Sequence, residues 1–220
     1  MTNDINSKSS PNVVWHRGKV ESEDRSRLLG HRPLTVWFTG LSASGKSTLA
    51  FALERNLIDL NRACYVLDGD NIRHGLNKDL GFSHQDRTEN IRRIAEVARL
   101  MNDAGLVVIT AFISPYRDDR KLAKQIIGQD RFIEIYLSTP IGVCEARDPK
   151  NMYKRARAGE IQEFTGVNAS YEPPCSPYMT IDTSVEDLME STRKILYGVL
   201  EATRISTNTM HPDLRLSDNR

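Results

Sequence analysis

Cysteine is scarce in this 220-residue chain: Cys64, Cys144 and Cys175 are odd in number, far apart and without paired metal-ligand spacing. That pattern argues against a disulfide framework and predicts a reduced, cytoplasmic protein. Long apolar runs are lacking too. The longest, Leu106 to Ile113, is interrupted by Thr110 and falls far short of the roughly 20 residues of a membrane helix. The start, Met1 to Pro11, is polar, so neither a secretory signal nor a membrane anchor is expected there. An excess of one charge is also missing, with a formal net charge of +1 and acids and bases interspersed. No global field therefore favours nucleic acid or a membrane surface, and any anion site must be local. No internal repeat is present.

The length suits one sizeable core, and the chain divides into three stretches. Residues 1–31 are polar and lack sustained periodicity, which predicts a partly ordered arm lying on the domain. Within it, Val13-Val14-Trp15 is apolar and expected to dock, with the interface of a homodimer as one candidate place. Residues 32–204 form the expected domain, and 205–220 a polar tail that frays. In the domain, strands are predicted at Leu34–Phe38, Cys64–Leu67, Leu106–Ile109, Phe132–Leu137 and Tyr178–Asp182. Helices are expected from the glycine-rich turn to Leu60, then over Thr88–Ala104, Asp118–Ile127 and Val185–Leu200. Strands apolar on both faces, alternating with amphipathic helices, imply an α/β, doubly wound parallel sheet. A basic segment at about 148–166 reads as a mobile lid.

Gly40-Leu41-Ser42-Ala43-Ser44-Gly45-Lys46-Ser47 matches G-x-x-x-x-G-K-[ST] and lies between an apolar strand and a helix, as a phosphate-binding P-loop must. Its N–H groups would cradle the β-phosphate of ATP at the positive end of the following helix, whose next residue is Thr48. Lys46 would reach the β- and γ-phosphates, and the Ser47 hydroxyl would ligate Mg²⁺. The Leu106 strand ends without an acid, so the metal and base duties fall to Asp68-Gly69-Asp70, with Asp68 meeting the metal through water. These residues define a P-loop kinase without naming its acceptor.

Four further motifs make the chain resemble the adenylyl-sulfate kinase family from about Asn12 to the last helix. They are Asp68-Gly69-Asp70-Asn71-Ile72-Arg73-His74-Gly75-Leu76, Gly81-Phe82-Ser83 with Arg87-Thr88-Glu89-Asn90-Ile91-Arg92-Arg93, Thr110-Ala111-Phe112-Ile113-Ser114-Pro115, and Lys154-Arg155-Ala156-Arg157-Ala158-Gly159 through Phe164-Thr165-Gly166. The resemblance implies transfer of the γ-phosphoryl group of ATP to the 3′-hydroxyl of adenylyl sulfate, giving 3′-phosphoadenylyl sulfate for sulfate assimilation. It also implies a substrate site. Arg73 and Arg87 suit the sulfate and phosphate, Phe82 and Phe164 the adenine, and Asn90 a polar edge. Ile113 and Ser114 would line the same pocket, Lys150 would meet phosphate or substrate, and Arg147 would lie against the adenine of ATP. His74 and His84 are read as polar loop residues, and Arg92 and Arg93 as a solvated helix face.

Asp68 or Asp70 would orient the acceptor hydroxyl and take its proton. The family serine at position 114 has been assigned as a phosphoserine intermediate, but a serine without an adjacent base is a poor nucleophile, which favours a binding or positioning role. Two departures from the family pattern stand out. Ala43 replaces a common glycine and is expected to keep a negative φ, and Asn151-Met152 follow Lys150 where glycine and leucine are common. The competing readings are another small P-loop kinase, for a nucleoside monophosphate or a polyol, and a nucleotide-binding regulatory module without turnover.

Overall fold

A computed structural model describes residues 12–14, 16 and 18–205. Its centre is β1 (Leu34–Gly40), buried along its whole length. The other strands are β2 (Cys64–Asp68), β3 (Val107–Ala111), β4 (Phe132–Leu137) and β5 (Met179–Ile181), all parallel in the order β2-β3-β1-β4-β5. Among the described residues seven α-helices accompany them: α1 (Ser22–Leu29), α2 (Lys46–Asp59), α3 (His84–Asp103), α4 (Arg117–Ile127), α5 (Ile141–Arg147), α6 (Met152–Arg157) and α7 (Leu188–Ala202).

Alternation along β1 splits the core into two layers. Leu34, Val36 and Phe38 point to the face covered by α2 and α7, where Leu49, Leu53, Ile195 and Val199 pack. Trp37 points to the other face, among Ile91, Ile94 and Ala98 of α3 and Ala123 and Ile127 of α4. The chain runs from β1 to β2, past β3, and later returns to the opposite side of β1 with β4. Ligands in such sheets gather at the carboxyl ends of the strands, beside this switch in direction. The register sets Phe38, Asp68 and Ala111 level at that edge.

Several boundaries differ from the sequence expectation, each for a local reason. The arm holds α1, closed at its start by a capping box between Glu21 and Asp24 and at its end by Gly30 at φ +71°. Leu29 of α1 lies against Gly105, and the Arg62 guanidinium donates to the Gly30 carbonyl. The following residue, His31, is fully buried; its Nε2 accepts from the Ala63 N–H at 3.2 Å, and burial lowers its pKa. Val13 and Val14 are 67% and 74% exposed and do not dock on the domain, while Trp15 lies outside the described residues. The tail expectation from residue 206 onward also lies outside them.

Helix α3 begins four residues before Thr88 because the Ser83 hydroxyl accepts from the Asp86 N–H. His84 is therefore helical, not a loop residue, and its ring lies 4.3 Å from that of Tyr116. Asp187 caps α7 in the same way, which moves its start from Val185 to Leu188. The lid region contains α6 and follows α5, helices too short for periodicity to reveal.

Gly105 closes the turn between α3 and β3 at φ +96°, and a Cβ there would lie 2.6 Å from Leu29 Cδ1. Gly105→Ala should lower stability by about 2 kcal/mol, combining left-handed strain with displacement of α1. A urea midpoint equal to wild type would refute the docking of α1.

Candidate active site

The carboxyl edge of the sheet opens into a cleft of about 810 Å³. Gly40 ends β1 at φ +147°, and a Cβ there would meet the Leu137 carbonyl at 2.7 Å, so the turn into the phosphate loop admits only glycine. Lys46 is buried, and its Nζ donates to the carbonyls of Gly40 at 2.9 Å and Leu41 at 2.6 Å. Loss of hydration on burial pushes its pKa down to about 8. Ala43 adopts φ +58°, so the expected negative φ is wrong: the turn requires a left-handed residue, and alanine bears that strain. Gly40, Leu41 and Ser44 support the loop from outside the cleft lining, whereas Ser42, Ala43, Gly45, Lys46, Ser47 and Thr48 line it.

The Ser47 hydroxyl donates to Asp68 Oδ2 at 2.7 Å. Asp68 is buried, and its other oxygen accepts from the N–H groups of Asp70 at 3.0 Å and Asn71 at 3.4 Å. A hydroxyl and a carboxylate held together at the foot of a phosphate loop form a hard-oxygen pair suited to Mg²⁺. Asp70, two residues on, is exposed to the cleft and pairs with the Lys150 ammonium from the lid.

Phe82 stands at another part of the same cleft, 57% exposed. The guanidinium carbons of Arg73 and Arg87 lie 4.3 and 5.7 Å from its ring centroid. Arg73 donates to the carbonyls of Leu80 and Gly81, and Arg87 to those of Phe82 and Glu163, which fixes both heads beside the ring. Asn90 Oδ1 accepts from buried Asn77 at 2.9 Å. Ile113 and Ser114 form the wall after β3. Ser114 is buried at φ +39°, and its hydroxyl accepts from Trp37 Nε1 at 3.2 Å.

Phe164 lines the cleft but is only 6% exposed and packs edge-on to Tyr153, with centroids 5.0 Å apart, in a small core with Cys144 and Ala156. The Tyr153 hydroxyl donates to the Ser42 carbonyl, joining lid to phosphate loop. Arg147 forms a two-pronged clamp on Thr183, at 2.7 Å to the hydroxyl and 2.6 Å to the carbonyl. Thr183 in turn donates to the Ser44 carbonyl at 2.9 Å. Sequence reading missed Thr183, Tyr153 and Asn77; position just past the last strand was the only signal for Thr183.

The basic lid is less free than its sequence suggests. Arg155 pairs with Glu160 and Arg157 with Glu145, and of Lys150, Lys154, Arg155 and Arg157 in this basic segment, Lys150 alone lines the cleft. Asn151 keeps the left-handed φ of +54° that glycine commonly supplies, since asparagine tolerates it. Arg93 is likewise more than a solvated side chain, because it bridges Asp79 and Glu89.

A parallel sheet, a phosphate loop with buried lysine and a Ser–Asp pair beside it define a P-loop phosphotransferase. Residues 32–182 match the adenylylsulphate kinase family. The adenylyl-sulfate kinase of Oceanobacillus iheyensis is 54% identical over 188 residues, covering 86% of this chain and 94% of that protein. The adenylyl-sulfate kinase of Shewanella pealeana is 56% identical over 184 residues, covering 84% and 90%. Among solved structures, the Mycobacterium tuberculosis APS kinase CysC in complex with AMPPNP and APS is 46% identical and has a TM-score of 0.74, covering 77% of this chain and 98% of that one. The chain belongs to the adenylylsulphate kinase family.

The phosphate-loop motif assigns Lys46 to the triphosphate, which its charged form would attract, and burial removes that charge from the free enzyme as pH rises through about 8. Above this pH, kcat/KM for ATP should fall by up to about tenfold per unit, while kcat falls later because bound phosphate raises the pKa. For stability the sign is opposite: the unfolded chain binds the extra proton between about 8 and the ordinary lysine value, so the cost of burying Lys46 diminishes as pH rises. A kcat/KM profile flat to pH 10, measured with adenylyl sulfate saturating, would contradict the burial-lowered charge.

Proposed function

We propose that this protein transfers the γ-phosphoryl group of ATP to the 3′-hydroxyl of adenylyl sulfate, giving ADP and 3′-phosphoadenylyl sulfate. The observation that carries this reading is the exposed Phe82 ring flanked by two guanidinium groups, in one cleft with the phosphate loop. An aromatic face beside paired cations is the chemistry that an anionic purine nucleotide requires.

The loop N–H groups receive the β-phosphate, and Lys46 exchanges its carbonyl partners for phosphate oxygens. Ser47 and Asp68 are the residues that would hold Mg²⁺, which when bound would neutralise phosphate charge. Asp68 is committed at both oxygens, to Ser47 and to two backbone N–H groups. Asp70 keeps an exposed carboxylate in the cleft, and it is the better placed to orient the 3′-hydroxyl and accept its proton. Ile113 and Ser114 form the acceptor wall, and Arg147, through Thr183, braces the loop beneath ATP. Phosphoryl transfer of this kind depends on position and charge stabilisation and needs no covalent enzyme intermediate.

No helix among the described residues is long and apolar enough to cross a membrane. All three cysteines are free thiols, which supports a reducing compartment such as the cytosol.

Purified protein incubated with Mg-ATP and adenylyl sulfate should form 3′-phosphoadenylyl sulfate, with AMP and adenosine giving no phosphorylated product. Product from AMP alone, or ADP formation indifferent to the sulfated nucleotide, would reject the acceptor.

The Ser114 hydroxyl has the indole N–H of Trp37 as its partner, which leaves it without a base. Ser114→Ala should therefore retain turnover within about tenfold, the scale of one neutral hydrogen bond. Abolished turnover with nucleotide binding intact would restore the phosphoserine route.

A further inference from the structure

Arg120 is one of the most buried charged side chains in the molecule, 4% exposed, and it lies outside the cleft. All three of its nitrogens are engaged, and each engages a different segment. Nε donates to the Glu134 carboxylate of β4 at 2.7 Å. Nη1 donates to the Ser114 carbonyl at 2.6 Å, and Nη2 to the Glu172 carbonyl at 2.7 Å. The guanidinium carbon also sits 5.8 Å from the Tyr171 ring centroid.

These three partners are not equivalent. Glu134 belongs to the rigid sheet. Ser114 belongs to the acceptor wall and holds a left-handed backbone that a serine does not adopt by preference. Glu172 lies where the chain returns from the lid, and this return is pinned a second time: its carboxylate accepts from the Arg117 N–H at 2.8 Å, and Arg117 Nε donates to the Pro173 carbonyl at 2.6 Å. Beside it the Tyr171 hydroxyl meets Thr39 Oγ1 at 2.9 Å, and Thr39 donates to the Ile113 carbonyl at 2.8 Å. Both wall residues are thus held from beneath by groups that also hold the lid's return segment.

We infer that Arg120 is a positioning residue that fixes the acceptor wall at Ile113–Ser114 and the return segment of the lid to one another, through the Ser114 and Glu172 carbonyls. This rests on the proposed transfer to adenylyl sulfate. A planar guanidinium presents fixed N–H directions to all three partners at once, which a lysine ammonium on a flexible stem does not. The wall is therefore set for the acceptor before it arrives, and the lid closes from a fixed end. The ATP side is held independently, by Thr183, Thr139 and Arg147.

The test separates these two sides. Arg120→Lys retains a charge for Glu134 but loses the fork. It should raise KM for adenylyl sulfate by about tenfold, the scale of lost charge-assisted hydrogen bonds, and leave KM for ATP within about twofold. ATP hydrolysis per transfer should rise as well. Equal changes in both KM values, or none, would overturn the inference, because a merely structural role has no reason to discriminate between substrates. Should Arg120→Lys fail to fold, Tyr171→Phe decides: it removes the hydroxyl beside Thr39 without exposing a buried charge. A selective, smaller rise in KM for adenylyl sulfate supports the coupling, and unchanged kinetics sink it. Wild-type protein runs in parallel, and its failure to phosphorylate adenylyl sulfate would refute the proposed function itself.

Discussion

The ammonium of Lys46 is shielded from solvent and held by the carbonyls of Gly40 and Leu41, and the geometry of the site follows from maintaining that arrangement. A buried cation without such partners costs several kcal/mol, so the loop must curl its own carbonyls inward. Doing so needs a sharp turn at the end of β1, where the Leu137 carbonyl of β4 leaves no room for a side chain at Gly40. The loop is then braced from the same side, where Thr139 follows β4 and Thr183 follows β5. Both hydroxyls point at the Ser44 carbonyl, and Arg147 grips Thr183. The sheet order β1-β4-β5 is what brings these supports alongside the loop. In the proposed transfer, a triphosphate would replace neutral carbonyls with anionic oxygens around a charge that is already desolvated, leaving little reorganisation for the reaction.

The parts of this arrangement that could be read from the sequence are those encoded locally. Strand β1, its phosphate loop and α2 are contiguous, and apolar runs between turn residues placed all five strands within two residues. Helix starts were misjudged where polar side chains, not apolar periodicity, set them: Ser83 for α3 and Asp187 for α7. Helix α1 gave no periodic signal because none of its residues is fully buried; a capping box and contacts of its last turn hold it. The φ of Ala43 could not be read at all, since the closed loop dictates it and not the residue. Thr183 and Arg120 act on partners 139 and 52 residues away, distances at which no motif records a contact.

Within the cleft, the motif residues were legible as a set but not as individuals. Phe82 and Phe164 look interchangeable in sequence, yet one is a free ring between two guanidinium groups and the other is the edge partner of Tyr153 in the lid's own core. The lid cations divide in the same manner. Arg155 and Arg157 pair with Glu160 and Glu145, exposed pairs that contribute little energy, and neither side chain lines the cleft.

The same division separates Asp68 from Asp70. Asp68 ends β2 under the sheet's shelter, and its two oxygens are occupied by Ser47 and by the backbone of the turn that follows. Such a carboxylate is fixed before any ligand arrives and suits a duty that must not move. Asp70 lies two residues on, exposed to the cleft, and its side chain pairs with Lys150, its one side-chain partner among the described residues. An exposed pair of this kind is weak, so its rupture on substrate entry costs about 1 kcal/mol or less. The pair joins the lid to the turn after β2 and neutralises the Asp70 carboxylate while it lasts. In the proposed transfer, an acceptor hydroxyl displacing Lys150 from Asp70 would free the ammonium for phosphate oxygens. In that reading the two carboxylates, separated by one residue, would serve as an anchor and a switch, and burial is the property that distinguishes them.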